Sequence, residues 1–211
     1  MTRLPSHFYA MVDTAGGHDP VSLAETLLDA GVRIMQLRLK DAPGRDFLAA
    51  ARTIAEMCRR SGAILIVNDR VDIAILADAH GVHLGQTDLP LEAARRILTS
   101  NENKLIGIST HNVEQARAAE NGGADYIGFG PMYPGGLRNN LSGKGLDGLR
   151  AIRAAVKIPI VAIGGITEAR VAETLAAGAD AVAIITDVLN APDLSAKVRA
   201  ILAIVGPSAP L

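Results

Sequence analysis

Gln36, Arg38 and Lys40 stand two apart at the close of an apolar run that begins at Ile34. Side chains two apart in an extended chain point the same way, so this segment can set an amide and two cations against one anionic ligand. A surface charge cluster is the plain alternative, although charged side chains that alternate inside a buried strand need a partner to offset their desolvation. Asn68-Asp69-Arg70 ends a further apolar run, and Gly85-Gln86-Thr87-Asp88 follows the next. Two carboxylates at one place, with room for water and phosphate, suit Mg2+. Singly, Asp69 can equally cap a helix and Asp88 can be a solvated loop residue; together at one mouth they favour the metal. Gly164-Gly165 and Ile185-Thr186 close two later runs. Backbone N–H groups exposed by glycine and by a helix start bind anions, while a tight left-handed turn would use Gly164 and Gly165 as well. Ser109 ends another run, where its hydroxyl can reach the same space or cap the next helix.

Other chemistry-bearing residues read as structural. His83 lies within Val82-His83-Leu84 and His111 starts a helix, and neither has a nucleophile or metal pattern beside it in sequence. The single Cys58 has no second cysteine for a disulfide or a thiolate metal site, so an inert buried thiol is expected. Paired cysteine ligands, a Walker loop and a nucleophile elbow are all lacking.

The elements that must carry these groups repeat one grammar. An Ala-rich amphipathic stretch ends at Gly and a short β-branched run follows: Gly31 into Ile34 to Leu37, Gly81 into Val82 to Leu84, Gly123 into Tyr126 to Phe129, and Gly178 into Ala181 to Ile185. Glycine at a helix end is the usual left-handed cap. Further strands are expected at Phe8 to Val12, Ile64 to Val67, Leu105 to Ile108 and Ile160 to Ile163. Helical patterns occupy about 20–30, 45–61, 70–77, 90–99, 112–121, 145–156, 167–177 and 193–204. Eight strands alternating with eight helices point to an α/β fold, a (β/α)8 TIM barrel in a single domain over 1–211. An open doubly wound sheet is the runner-up. In a barrel, functional groups gather at the C-terminal strand ends, where every candidate above falls.

Composition fits a parallel sheet buried on both faces: 49% of residues are hydrophobic but only 3% aromatic, which leaves Ala, Val, Ile and Leu to build the core. With 21 basic and 22 acidic residues the formal charge is -1, so no global field draws nucleic acid or an anionic membrane, and phosphate binding has to be local. No apolar run approaches the roughly 18 residues of a membrane span, and residues 1–12 lack a signal-peptide core. The expected location is cytoplasmic, and the expected partners are small phosphorylated molecules. The oligomeric state is open, a homo-oligomer included.

From Phe8 to about Arg199 the chain resembles the thiamine phosphate synthase family, also called thiamine phosphate pyrophosphorylase. The likeness rests on Gln36 to Lys40, Asn68-Asp69-Arg70-Val71-Asp72, Gly81 to Asp88, Gly128-Phe129-Gly130-Pro131 and Ala162-Ile163-Gly164-Gly165-Ile166. It implies a (β/α)8 fold and Mg2+-assisted joining of 4-amino-5-hydroxymethyl-2-methylpyrimidine diphosphate to a thiazole phosphate, with diphosphate leaving first to give a pyrimidine-methyl cation. It also implies that Gln36, Arg38, Lys40, Asn68 and Ser109 hold the pyrimidine diphosphate. Asp69 and Asp88 would hold Mg2+, and Gly165, Ile185 and Thr186 the thiazole phosphate.

One loop departs from the family's pattern. Where relatives usually carry Thr-x-Thr-Lys, this chain reads Gly135-Gly136-Leu137-Arg138-Asn139-Asn140, so Arg138 stands for the lysine, with Lys144 as a substitute if the loop folds differently. A guanidinium can still pair with phosphate, through a planar fork. Two other readings compete: a thiazole tautomerase of the same fold, whose histidine position near the end of strand six is Pro131 here, and a non-catalytic barrel that binds a phosphorylated ligand.

Overall fold

The computed structural model describes residues 4–14, 17–98, 104–134 and 142–206. Its strands are β1 (Phe8–Asp13), β2 (Ile34–Arg38), β3 (Ile64–Asn68), β4 (Gly81–Leu84), β5 (Leu105–Thr110), β6 (Tyr126–Phe129), β7 (Ile160–Ile163) and β8 (Ala181–Ile184). Between them run the helices α1 (Pro20–Asp29), α2 (Gly44–Ser61), α3 (Val71–Leu76), α4 (Leu91–Leu98), α5 (Val113–Asn121), α6 (Gly145–Ala155) and α7 (Val171–Ala176). After β8 come α8 (Thr186–Leu189) and α9 (Leu194–Val205). All strands are parallel and the sheet closes in sequence order, Ala10 pairing with Met35 on one side and with Ile184 on the other. Closure through β1 and β8 excludes the open doubly wound sheet.

The expected strands and helices are present within a residue or two at their ends, except that the helix expected from 167 opens as a 3-10 turn over Glu168–Arg170 and becomes α-helical only at Val171. The short α8 directly after β8 is an addition, since four residues are too few to show a helical period. Helix ends follow the expected chemistry where it could be read. Asp19 caps α1 through Ser22 N, with Pro20 at the first helical position, and Asn112 and Asp193 cap α5 and α9 in the same way. The helix-glycine-strand rule holds at Gly31, Gly123 and Gly178, which all have positive φ, and fails at Gly81. There the left-handed residue is Asp78, and Gly81 opens β4 because a Cβ would lie 2.3 Å from the Leu105 carbonyl oxygen of β5.

Two apolar cores result. The larger one lies between sheet and helices. The smaller fills the barrel interior with Tyr9, Met11, Ile34, Ile64, Ile66, Tyr126, Val161, Ala181 and Ala183. Along the inward positions the chemistry changes from apolar to polar toward the C-terminal strand ends: Ile34 gives way to Gln36 and Arg38 on β2, and Ile64 and Ile66 to Asn68 on β3. Gln36 lies beside Met11 and Ile66 in the register, and Asn68 beside His83. The expectation that Cys58 is inert agrees with its place in the outer core, where burial pushes the thiol up to about 12.

Gly81→Ala is expected to cost about 1–3 kcal/mol, because the clashing atom is a ladder carbonyl that cannot swing aside. Urea unfolding measures it, and a shift below about 0.5 kcal/mol would mean that β4 and β5 can part without loss.

Candidate active site

The C-terminal ends of the strands enclose a cavity of about 620 Å3. On the β2 side, Gln36 and Asn68 are buried and Arg38 is part-buried. Arg38 does not belong to a loose surface cluster: Nη1 donates to Oδ2 of Asp13 at 2.5 Å, and Asp13, the last residue of β1, is only 3% exposed. A buried carboxylate locked to one guanidinium nitrogen aims the rest of the fork. Lys40 lies beyond the end of β2, its Nζ 3.9 Å from Oδ2 of Asp69.

Asp69 and Asp88 meet at this mouth. Asp69 adopts φ 62, an uncommon conformation for a residue with a side chain, and its N–H donates to the His83 carbonyl at 2.8 Å. It does not cap α3, whose N-terminus has no side-chain cap. Asp88 accepts from Gly85 N at 2.6 Å. Burial first, then the neighbouring Asp88 through hydrogen bonding and like charge, raise Asp69 from 3.8 to about 6, against the opposing pull of Lys40 and Arg38. Arg70 turns away and forks onto Asp72 through Nε at 2.8 Å and Nη2 at 2.5 Å.

Across the cavity, Gly164 and Ile185 line the wall, while Gly165 and Thr186 stand one residue further out. Gly164 has φ 97 and Gly165 φ 66, so the turn is left-handed. Space constrains it too: a Cβ on Gly165 would lie 2.6 Å from Tyr133 O, and one on Gly164 2.8 Å from Pro131 Cα. Arg170 secures this loop, its guanidinium 4.2 Å from the centre of the Tyr133 ring and Nη1 donating to Gly165 O at 2.8 Å. Beneath the start of α8, Lys197 bridges Glu168 at 2.9 Å and Asp187 at 3.5 Å. Arg138 lies outside the described residues.

Sequence reasoning underrated the barrel floor. Ser109 does not cap α5, a role that Asn112 fills; its Oγ lies 2.9 Å from Nε2 of His83. His83 is 8% exposed and lines the cavity, and its Nδ1 lies 3.1 Å from the Tyr126 hydroxyl. Tyr126 in turn meets the Tyr9 hydroxyl at 2.8 Å, and Gln36 Nε2 donates to Tyr9 at 3.0 Å. Two glycines admit the rings. A Cβ on Gly107 would lie 2.1 Å from Tyr126 Cζ, and one on Gly128 3.1 Å from His83 Cε1. The signal was present as Gly107 and Gly128 at alternate inward positions on neighbouring strands. His111 also reaches the cavity, with Nδ1 2.8 Å from Gly130 O.

Charged and polar groups from six successive strands, β1 to β6, gathered in one cavity of a closed parallel sheet, define a (β/α)8-barrel enzyme with its site preformed in the mouth. Thiamine monophosphate synthase is the family that matches, over residues 8–188. The thiamine-phosphate synthase of Moorella thermoacetica is 44% identical over 194 residues, covering 90% of this chain and 91% of the relative. That of Chloroflexus aurantiacus is 43% identical over 190 residues, covering 90% and 87%. The solved thiamine phosphate pyrophosphorylase of Pyrococcus furiosus superposes with a TM-score of 0.87 at 35% identity, covering 95% of this chain and 96% of that one. The chain belongs to the thiamine monophosphate synthase family.

Because Asp69 titrates higher in the fold than its ordinary 3.8, its ionisation opposes folding. The opposition is absent below about pH 4, grows through about pH 6 and is complete above it. Asp88→Asn is therefore expected to lower the Asp69 midpoint part of the way, burial remaining, and to raise the melting temperature of metal-free protein at pH 8. That gain should fade below pH 6. Carboxyl NMR titration and calorimetry test this; an unchanged Asp69 midpoint would mean that burial alone sets it.

Proposed function

We propose that this chain is a thiamine-phosphate synthase, which joins 4-amino-5-hydroxymethyl-2-methylpyrimidine diphosphate to a thiazole phosphate and releases pyrophosphate. The two-sided cavity carries this reading. Arg38, Lys40, Gln36, Asn68 and Ser109 stand on the side of β2, β3 and β5, and the glycine turn with Ile185 stands across from them. At about 620 Å3 the space suits two small substrates meeting between two phosphate-holding walls.

In the proposed reaction the bond from the pyrimidine methylene carbon to the diphosphate oxygen breaks, and its electron pair leaves with the diphosphate. The thiazole nitrogen then gives its lone pair to the resulting cation, and the product keeps the positive charge as a thiazolium. No proton is removed, so no general base is required. Arg38, held by Asp13, and Lys40 stabilise the charge that grows on the departing diphosphate. Gln36, Asn68 and Ser109 orient the pyrimidine diphosphate, and the Gly165 and Thr186 amides with Ile185 receive the thiazole phosphate. Arg138 is the proposed further cation of the loop after β6.

Asp69 and Asp88 would hold Mg2+. Their chemistry fits, because two carboxylates lining one cavity, one with its ionisation held up by burial and by the other, form a donor pair that a divalent cation relieves. No group of three or more His, Cys, Asp or Glu gathers as a metal site among the described residues, so water and diphosphate oxygens would complete the shell. When bound, the ion supplies charge neutralisation at the leaving diphosphate.

Purified protein mixed with both substrates and Mg2+ should form thiamine phosphate and pyrophosphate in equal amounts, and failure to do so at any Mg2+ concentration overturns the proposal. Asp69→Asn and Asp88→Asn should each lower Mg2+-dependent turnover by about tenfold or more, roughly 1.4 kcal/mol, with the barrel intact by circular dichroism. Full activity in either variant would remove that carboxylate from the metal site.

A further inference from the structure

We infer that Tyr9, Tyr126 and His83 form a one-way hydrogen-bond chain that reserves the Ser109 hydroxyl proton for the bound substrate, which makes these three positioning residues with Ser109 as the contact. The substrate atom facing Ser109 is then an acceptor, a diphosphate oxygen or a pyrimidine ring nitrogen. The inference deepens the proposed synthase reading and rests on it for the identity of that substrate.

The direction follows from the orientation of the Gln36 amide, nitrogen toward Tyr9, and from counting protons. Gln36 Nε2 donates to the Tyr9 oxygen at 3.0 Å. Tyr9 is 1% exposed, and among the described residues the one acceptor left for its own O–H is the Tyr126 hydroxyl at 2.8 Å, so Tyr9 donates to Tyr126. Tyr126 must then spend its proton on Nδ1 of His83 at 3.1 Å. A bare Nδ1 makes the ring an uncharged imidazole with its proton on Nε2, and that proton goes to Ser109 Oγ at 2.9 Å. Ser109 already accepts, and its hydroxyl proton has no other partner among the described residues, so it is free for the cavity that Ser109 lines. The reverse direction, or an imidazolium at His83, would leave the O–H of Tyr9, 1% exposed, without an acceptor among the described residues.

Independent features keep the chain in place. Gly107 and Gly128 leave the room that the Tyr126 and His83 rings fill. The Tyr126 ring lies 5.9 Å from Tyr9 and 5.5 Å from His83, centre to centre, so no link can rotate without displacing a neighbour. Burial favours the same protonation states, holding both phenols well above their ordinary range and His83 down to about 4.

The test has a substrate-free arm and a kinetic arm. Nitrogen-15 NMR of the full chain at pH 7.5, with the His83 signals assigned by their loss in His83→Gln, should show Nδ1 bare and Nε2 protonated. Tyr126→Phe should blur that preference into a mixture of tautomers. An Nδ1-protonated ring in the unaltered chain overturns the inference. In the assay, Tyr126→Phe should lower kcat by about fivefold, and Tyr126→Phe with Ser109→Ala together should be no slower than Ser109→Ala alone. Losses that multiply would mean that Tyr126 does not act through Ser109, and would overturn the positioning role. Protein with the expected tautomer but no synthase activity would sink the synthase reading and uphold the direction of the chain.

Discussion

An eight-stranded barrel has an interior just wide enough for side chains to fill it, so each inward position must be occupied in a way that its neighbours allow. The floor of the site depends on that limit. Tyr126 can cross the interior because β5 offers Gly107 beside it, and His83 can come close to β6 because Gly128 offers no Cβ. With those rings in place, their polar atoms fall within hydrogen-bond distance of Tyr9, Gln36 and Ser109. No buried side-chain nitrogen or oxygen among the described residues is left without a partner. Packing and polar satisfaction are therefore one constraint here, since shifting either ring would break the apolar fill and the hydrogen bonds together.

The rim obeys a different rule, in which charge is concentrated at some cost to stability. Asp13 and Arg38 neutralise each other, and the arginine is aimed as a result. Asp69 and Asp88 oppose each other, and Lys40 at 3.9 Å from Asp69 offsets the repulsion only in part. A left-handed backbone at Asp69 adds local strain in the same place. Strain and like charge gathered at one rim, in a chain whose other described ion pairs join opposite charges, mark where function outweighs stability.

Much of the barrel was legible in the sequence because its helices are long enough to show their period and because the strands end on polar residues that a buried sheet would otherwise avoid. Gln36, Arg38, Asn68, Asp69 and Asp88 were found that way, and all line one cavity. What escaped depends on contact across the interior. A sequence assigns Val82-His83-Leu84 to a strand but does not say that His83 faces a tyrosine 43 residues away. Asp13 looked like the residue after a strand, and only its register with Arg38 pairs the two. Gly81 resembled a helix cap because the strand carbonyl that excludes its Cβ belongs to β5, which lies later in the chain.

The neutral floor and the charged rim also divide the proposed chemistry between them. A departing diphosphate calls for cations and metal-holding carboxylates, and these stand at the mouth, where water can help to charge them. The pyrimidine-methyl cation left behind would be captured by any free nucleophile beside it. Two phenols and an imidazole look hazardous for that purpose, but burial keeps Tyr9 and Tyr126 from becoming phenolates. The one basic lone pair among the linked Tyr9, Tyr126 and His83 side chains, on Nδ1 of His83, is covered by the proton of Tyr126. A floor of neutral groups whose lone pairs are already engaged can hold a polar ring in place without reacting with it, which a lysine or a carboxylate at the same depth could not do.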